Sequence, residues 1–431
     1  MIRTFSAACC ALLLMAGAAA AAESDAANWS QWRGPGRDAH SPDTGLMQSW
    51  ETTKPRLLWT ADGLGEGYAS VAIANDVLYT TGNFENGQAM VAVSLQNGEV
   101  LWKTPFTAEA PKHGHQGSRS TPTVDGDRVY AVGSNGEVVC FKTADGTLLW
   151  DRNFSDWNGR MMSGWGFAES PLVDGDVVVC TPGGDEAMLV ALNKMTGEEV
   201  WTSSAVDFPG AGRKSGAGYS SIVVSNGGGV KQYVQLVGAG VIGVRASDGK
   251  FLWGYGDMAN GTANIPTPIV DGDYVFCSTG YKGGAALLKL QSDGDGVKAE
   301  EVYYLEAKLF ENHHGGMVKV GDYIYAGHKH NQGFPICLEM MSGKVAWGGE
   351  ERGEGEGSAA VIYADGNLLF RYQTGQISLI AANPEEQIRK GFFMPEIQKG
   401  RSWAHPVVIN GKLYLREQDQ LMCYDLTPPR G

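Results

Sequence analysis

Past residue 22 the sequence contains no apolar run long enough to cross a bilayer. Cysteine is scarce: there are seven in 431 residues, with no CxxC or other metal-type spacing. Positive charge is short too. The 34 Lys and Arg against 48 Asp and Glu give a net charge of −14, which argues against nucleic acid and anionic membrane surfaces as partners, because both call for basic patches. Neither G-x-S-x-G nor H-E-x-x-H occurs, so the motifs of the α/β-hydrolases and zincins are missing. Histidine numbers only eight.

The exception to the missing apolar runs is the beginning. Arg3 followed by "SAACCALLLMAGAAAAAE" predicts a secretory signal peptide over residues 1–22, cleaved near Ala20–Ala22, and a mature chain that is periplasmic or secreted. A lipid anchor on Cys9 or Cys10 does not fit, because the apolar stretch before them is too short. The other five cysteines, Cys140, Cys180, Cys277, Cys337 and Cys423, sit inside apolar strand-like runs. Their odd number and surroundings point to buried thiols rather than a disulfide framework.

What the sequence has in excess is glycine, 60 residues spread along its length, and a repeat. The unit "SRSTPTVDGDRVYAVGSNGEVVCFKTADGTLLW" (118–150) returns at 168–201, 265–280, 315–347 and 403–426, with divergent copies from Tyr68, Tyr219 and Ser358. Each copy carries a short strand of small residues, an Asp-Gly turn, an aromatic-rich strand, a Gly-rich turn, and a last hairpin ending in an aromatic. Asp-Gly, Asn-Gly and Thr-Gly pairs supply the positive φ that tight hairpins need. The terminal aromatics are Trp59, Trp102, Trp150, Trp201, Trp253, Tyr304, Trp347 and Phe393, spaced 43 to 52 residues apart. Eight four-stranded units at that period predict an all-β, eight-bladed propeller. The last unit stops at "CYDLTPPRG" without its outer strand, so "PRLLWTA" (55–61) is expected to complete it and close the ring. The organisation expected is a signal peptide (1–22), an N-terminal extension (23–54) and one propeller (55–431), as a monomer.

The segment "VALNKMTGEEVW", with Ala191, Asn193, Thr196, Gly197 and Trp201, resembles the tryptophan-docking repeat of pyrroloquinoline-quinone (PQQ)-type propellers. "NWSQWRGPGRDAHSPDTGL" (28–46) resembles the opening of bacterial PQQ-like propellers of the polyvinyl-alcohol-dehydrogenase-like kind. The resemblance implies that each Trp lies over a glycine turn of the neighbouring blade, where a Cβ would clash. It also implies two branches of function. One is the quinoprotein alcohol dehydrogenases, which hold PQQ between a Trp and a vicinal disulfide, with Ca²⁺ on Glu and Asn and an Asp base. The other is a cofactor-free scaffold, typified by the propeller of the outer-membrane protein assembly machinery. Beyond residue 22 there are no adjacent cysteines, and no Glu–Asn–Asp set can be assigned.

Registering the repeats on their turns puts His314 where other units carry Tyr68, Arg119, Ala168, Tyr219, Ile265 and Trp403. That position opens each innermost strand at one mouth of the central channel, and its varied chemistry suggests a site for a protein or small-molecule ligand. Seven histidines, all but His40, fall in or near these entry segments. His313 and His314 are expected to point in opposite directions along a strand, and His328 and His330 to one face. The His-x-His spacing of His328 and His330, in the same repeat as His313 and His314, makes these four candidate metal ligands. "GEGEG" (353–357) and "SDGDGVKAEE" (292–301) read as exposed loops.

Three functions are carried forward. The first is a non-catalytic binding or scaffold protein acting through the mouth. The second is a PQQ-dependent dehydrogenase. Tyr68, Arg119, Trp165, Tyr219 and Trp403 would then hold the quinone, Ca²⁺ would polarise it, and Glu169 would serve as base. The third is a metal-dependent lyase or hydrolase using His313, His314 and His405, so Glu169, His314 and His405 are the candidate catalytic residues.

Overall fold

Each repeat folds as a four-stranded antiparallel meander, because its turn residues allow tight reversals and its apolar residues alternate between them. The computed structural model describes residues 28–204, 206–210 and 215–429; the expected signal peptide lies outside them. Within them, eight four-stranded sheets form the blades of a propeller. Blades 1 to 7 span residues 72–105, 123–153, 172–203, 223–255, 269–305, 312–348 and 359–393. Blade 8 takes three strands from residues 407–425 and its outer strand from Arg56–Ala61, which pairs antiparallel with Gln420–Asp425. The ring is therefore closed by the early segment that lacked a blade of its own.

Neighbouring blades are fastened by the terminal aromatics. Trp59 lies over Gly98, Trp102 over Gly146, Trp150 over Gly197 and Trp201 over Gly249, each glycine belonging to the next blade. A Cβ on Gly197 would come within 2.8 Å of the Trp150 indole, and its φ of 73° is strained for any other residue. The ring nitrogens of Trp102, Trp150 and Trp347 donate to carbonyls of the following blade at 2.7–3.0 Å. Two positions differ from the expected pattern. Tyr303, not Tyr304, lies against Gly343, because the strand bulge in blade 5 falls one residue earlier relative to the aromatic pair. Trp253 turns into its own blade and donates to Gln232 at 2.6 Å.

Toward the axis the small residues of the inner strands link blade to blade. The backbone N–H groups of Ser70, Thr121 and Ser170 each donate to a hydroxyl of the next blade, Thr121, Ser170 and Ser221, at 3.0 Å. The closing seam uses buried charge. Arg371 of blade 7 pairs with Glu417 of blade 8 at 2.8 Å, both fully buried. Arg416 donates across to blade 1, to the Thr80 hydroxyl and Thr81 carbonyl at 2.6 Å, and to the carbonyls of Gly65 and Ala69 before it, while its Nε is held within its own blade by the Gln418 carbonyl.

The segment before the ring fills the channel. Trp29 pairs with Ile73 on an inner strand. Arg37 donates to the carbonyls of Ser170 and Pro171 at 2.8 and 3.1 Å, and Trp32 to the Thr267 hydroxyl at 3.2 Å. Residues 29–40 thus plug the axis, and the mouth above them is a cup rather than a through-pore. The five described cysteines are unpaired and buried. Among the described residues no helix is long and apolar enough to cross a membrane.

Candidate functional site

The cup at the mouth has a volume of about 290 Å³. Its wall collects the strand-entry residues that the repeat register singles out: Tyr68, Arg119, Ala168, Tyr219, Ile265, His314 and Trp403 all line it. They meet there because each inner strand begins at the same height on the ring. Trp165, His115, His313 and His405 join them from the entry loops, and Trp32 and Arg33 form the floor from the plug.

The rings interlock. Trp403 stands 5.0 Å from Tyr68 and 4.9 Å from both His115 and His314, centroid to centroid, and its ring nitrogen donates to Gln373 at 2.8 Å. Trp165 meets Tyr219 at 5.9 Å, and the Tyr219 hydroxyl is 2.6 Å from that of Ser163. Trp32 lies 4.5 Å from His405. The Arg401 guanidinium sits 4.9 Å over Trp403, a cation–π contact. Arg119 is already engaged by the carbonyls of Gly114, His115 and Gly117 at 2.6–2.9 Å, so it fixes its own entry loop.

The histidine pair departs from the expected geometry. Pairing between Asn312–Val320 and Tyr323–His328 jumps from Asn312↔His328 to Met317↔Ala326, so residues 313–316 bulge out of the ladder. The Asn312 side chain closes the bulge by bonding both the N–H and the C=O of Gly316 at 3.0 and 3.1 Å. The two rings therefore touch at 4.4 Å instead of pointing apart. Gly315 has no room for a Cβ against the Ala359 carbonyl of the next blade, and Gly316 lies beside Arg33 with a φ of 74°. The Gly-Gly after the pair is thus a packing and turn requirement.

His328 and His330 do not share a face either. The strand ends at His328, Lys329 has a φ of 64°, and alternation stops there. His328 is buried against Phe310 and its Nδ1 accepts from the Glu311 N–H, whereas His330 packs on Tyr281 and His313. His313 already uses both nitrogens, toward Ser358 at 2.7 Å and Tyr281 at 3.2 Å. Among the described residues no group of three or more His, Cys, Asp or Glu is placed to hold a metal ion.

Burial pushes the His313 imidazole down to about 2, helped by His314 and His330, and lowers His314 and His405 to about 3. All three are neutral at physiological pH. Glu169 does not reach the cup. It is 2% exposed, between blades 3 and 4, and accepts from the Thr181 N–H and hydroxyl at 2.6 and 2.8 Å and from Gln235 at 3.1 Å. Among the described residues no Asp or Glu lines the cup. The wall therefore offers rings, arginine and neutral imidazole, with neither a carboxylate base nor carboxylate ligands for Ca²⁺, so the calcium-and-base half of a quinoprotein site does not fit these residues.

Within the 353–357 loop Glu354 pairs with Arg389 at 3.2 Å, and the 293–296 turn is an exposed hairpin whose Asp295 pairs with Lys250 at 3.0 Å. The register did not point to Trp32, Arg33 or Tyr281. For the first two the available signal was two Trp and two Arg packed around Gly and Pro in "WSQWRGPGR", outside any strand pattern.

A family described as outer membrane protein assembly factor BamB matches residues 39–154 and 86–348. A protein of that description from Kangiella koreensis is 32% identical over 142 residues, 32% of this chain and 32% of the relative. One from Shewanella oneidensis is 24% identical over 172 residues, 38% of this chain and 40% of that one. The chain thus spans only about a third of the length of the curated relatives it matches. The crystal structure of BamB from Moraxella catarrhalis superposes with a TM-score of 0.61 at 12% identity, covering 88% of this chain and 99% of that one. The quinohemoprotein alcohol dehydrogenase ADHIIG from Pseudomonas putida HK5 superposes with a TM-score of 0.67 at 13% identity, covering 95% and 82%. At such identities both are likenesses of fold alone.

Proposed function

The chain belongs to the family described as outer membrane protein assembly factor BamB, and we propose on that footing that it is a periplasmic, non-catalytic scaffold that captures its partner at the channel mouth. One observation carries the reading: the aromatic and arginine cup into which seven blades deliver their entry residues contains no carboxylate among its described lining. Such a wall can bind and orient, but it has no carboxylate to act as base or to hold a hard cation, and burial makes the imidazoles of His313, His314 and His405 weak bases. The plug supports the same reading, since a closed floor makes a receptor and not a conduit. Partners of this class are proteins of outer-membrane assembly, as the relatives' description implies for those relatives.

The test is quantitative capture of outer-membrane β-barrel proteins by the tagged mature chain from solubilised cell envelopes. Enrichment is expected for the wild type, with a loss of about thirtyfold on Trp403→Ala, since an aromatic anchor at the centre of an interface is worth about 2 kcal/mol. Equal recovery with both chains overturns the mouth as the working face. The dehydrogenase alternative is tested by titrating PQQ with and without Ca²⁺ while following alcohol-dependent dye reduction. Neither calcium-dependent binding nor turnover is expected, and both together would replace the scaffold reading.

A further inference from the structure

Arg33 enters the cup from the plug, outside every repeat, and its surroundings are unusual for a buried cation. It is 5% exposed. One terminal nitrogen donates to the carbonyls of Asp38 and Met317, while its Nε has no partner. The Asp38 carboxylate acts on it from a distance, but among the described residues Arg33 forms no ion pair. Burying a guanidinium without an anion is costly, and the cost is relieved when a carboxylate arrives. Nearby, the Nε2 of His314 is a second buried polar atom without a partner.

We infer that the cup is a receptor for an aromatic carboxylate, with the carboxylate seated on Arg33 and the ring held among Trp403, Tyr68 and Trp165. The inference rests on the mouth being the binding face and adds the chemistry of what enters it. No protein carboxylate lines the cup itself, and Asp38 acts on Arg33 from outside it. The flanking histidines are held neutral by burial, so Arg33 is the fixed charge at the floor. The indoles and phenols offer flat faces to a planar group. Arg401, stacked on Trp403 at the rim, adds long-range attraction for an anion in a chain that is otherwise acidic. A volume of about 290 Å³ admits one substituted ring, at the small end of ligand pockets.

This chemistry has two sources, a free aromatic acid or the end of a polypeptide whose last residue is aromatic. The experiment uses the mature protein and its own cup tryptophans as fluorescence reporters, with calorimetry alongside. Benzoate is compared with benzamide, and N-acetylphenylalanine with its amide. Each acid is expected to bind at least about tenfold tighter than its amide, the effect of one charge-assisted hydrogen bond. Tighter N-acetylphenylalanine points to a chain end, and tighter benzoate to a free acid. Arg33→Gln is expected to erase the acid preference, and Arg33→Lys to restore part of it. Equal binding of acid and amide, or no binding of either, overturns the inference, as does a preference that survives Arg33→Gln. If Arg33→Gln melts early, the wild-type comparison of acid with amide decides alone. Lost acid preference with intact envelope capture removes only this inference; the reverse pattern removes only the scaffold reading.

Discussion

In an unfolded chain the Glu169 carboxyl gives up its proton near the ordinary glutamate value, whereas in the native ring burial raises it to about 8 against the opposing bonds from Thr181 and the charge of Arg37. Between about pH 4.5 and 8 the folded state therefore holds a proton that the unfolded state has lost, and stability falls as pH rises through that window. Glu169→Gln removes the difference. Urea midpoints taken from pH 5 to 8 are expected to show the variant gaining on the wild type with each step, by at most about 1.4 kcal/mol per pH unit. A gap that stays constant with pH would show that Glu169 is ionised in the fold. The sequence places Glu169 beside the strand-entry position Ala168, close to the mouth. It does not tell that the side chain turns into the wall between blades 3 and 4, toward Thr181 and Gln235. The His313–His314 pair follows the same logic: the strand is legible, but the bulge held by the Asn312 side chain is not, because it depends on a partner strand.

The docking tryptophan is the element that repeats most faithfully, and its energetics are accessible to mutation. Trp150 is 8% exposed, covers Gly197 and donates to the Lys194 carbonyl at 3.0 Å. Trp150→Ala is expected to cost about 3–5 kcal/mol, read as a lower urea midpoint, by opening a cavity between blades 2 and 3. Gly197→Val is expected to be comparably damaging from the other side of the same contact, through both the clash and the positive φ. If the two together cost no more than either alone, they act on one joint. The blades themselves were readable because Asp-Gly and Thr-Gly turns and period-two apolar strands are local signals. Tyr303 taking the docking place of Tyr304 was not, since a one-residue bulge leaves no mark on composition.

Closure joins parts far apart in the chain, and it was legible only through arithmetic: seven complete repeats and one that lacked an outer strand. Removing Arg56–Ala61 leaves Gln420–Asp425 as an open edge and removes the Trp59 contact with Gly98. The shortened chain is expected to dimerise or aggregate and the full chain to run as a monomer, measured by light scattering after size exclusion. A monodisperse monomer without these residues would mean that the seam of Arg416 with blade 1 and Arg371 with Glu417 holds the ring alone. The plug was missed for a different reason. Its residues have no strand period, and only the assembled ring shows that there is an axis for Trp32 and Arg33 to fill.

The pairing of Arg56–Ala61 with Gln420–Asp425 also sets a clock on folding. Each of the first seven blades is contiguous in sequence and can form as soon as its own residues are available, but the eighth waits for a strand more than 350 residues upstream. Contacts that distant are slow to find, because the intervening loop must be closed first. The ring thus stays an open arc, with its first and last blades exposed to chaperones and proteases, until the final strand arrives. A destabilised latch would therefore show itself first as a slower last step of refolding, before any change in the finished propeller could be seen.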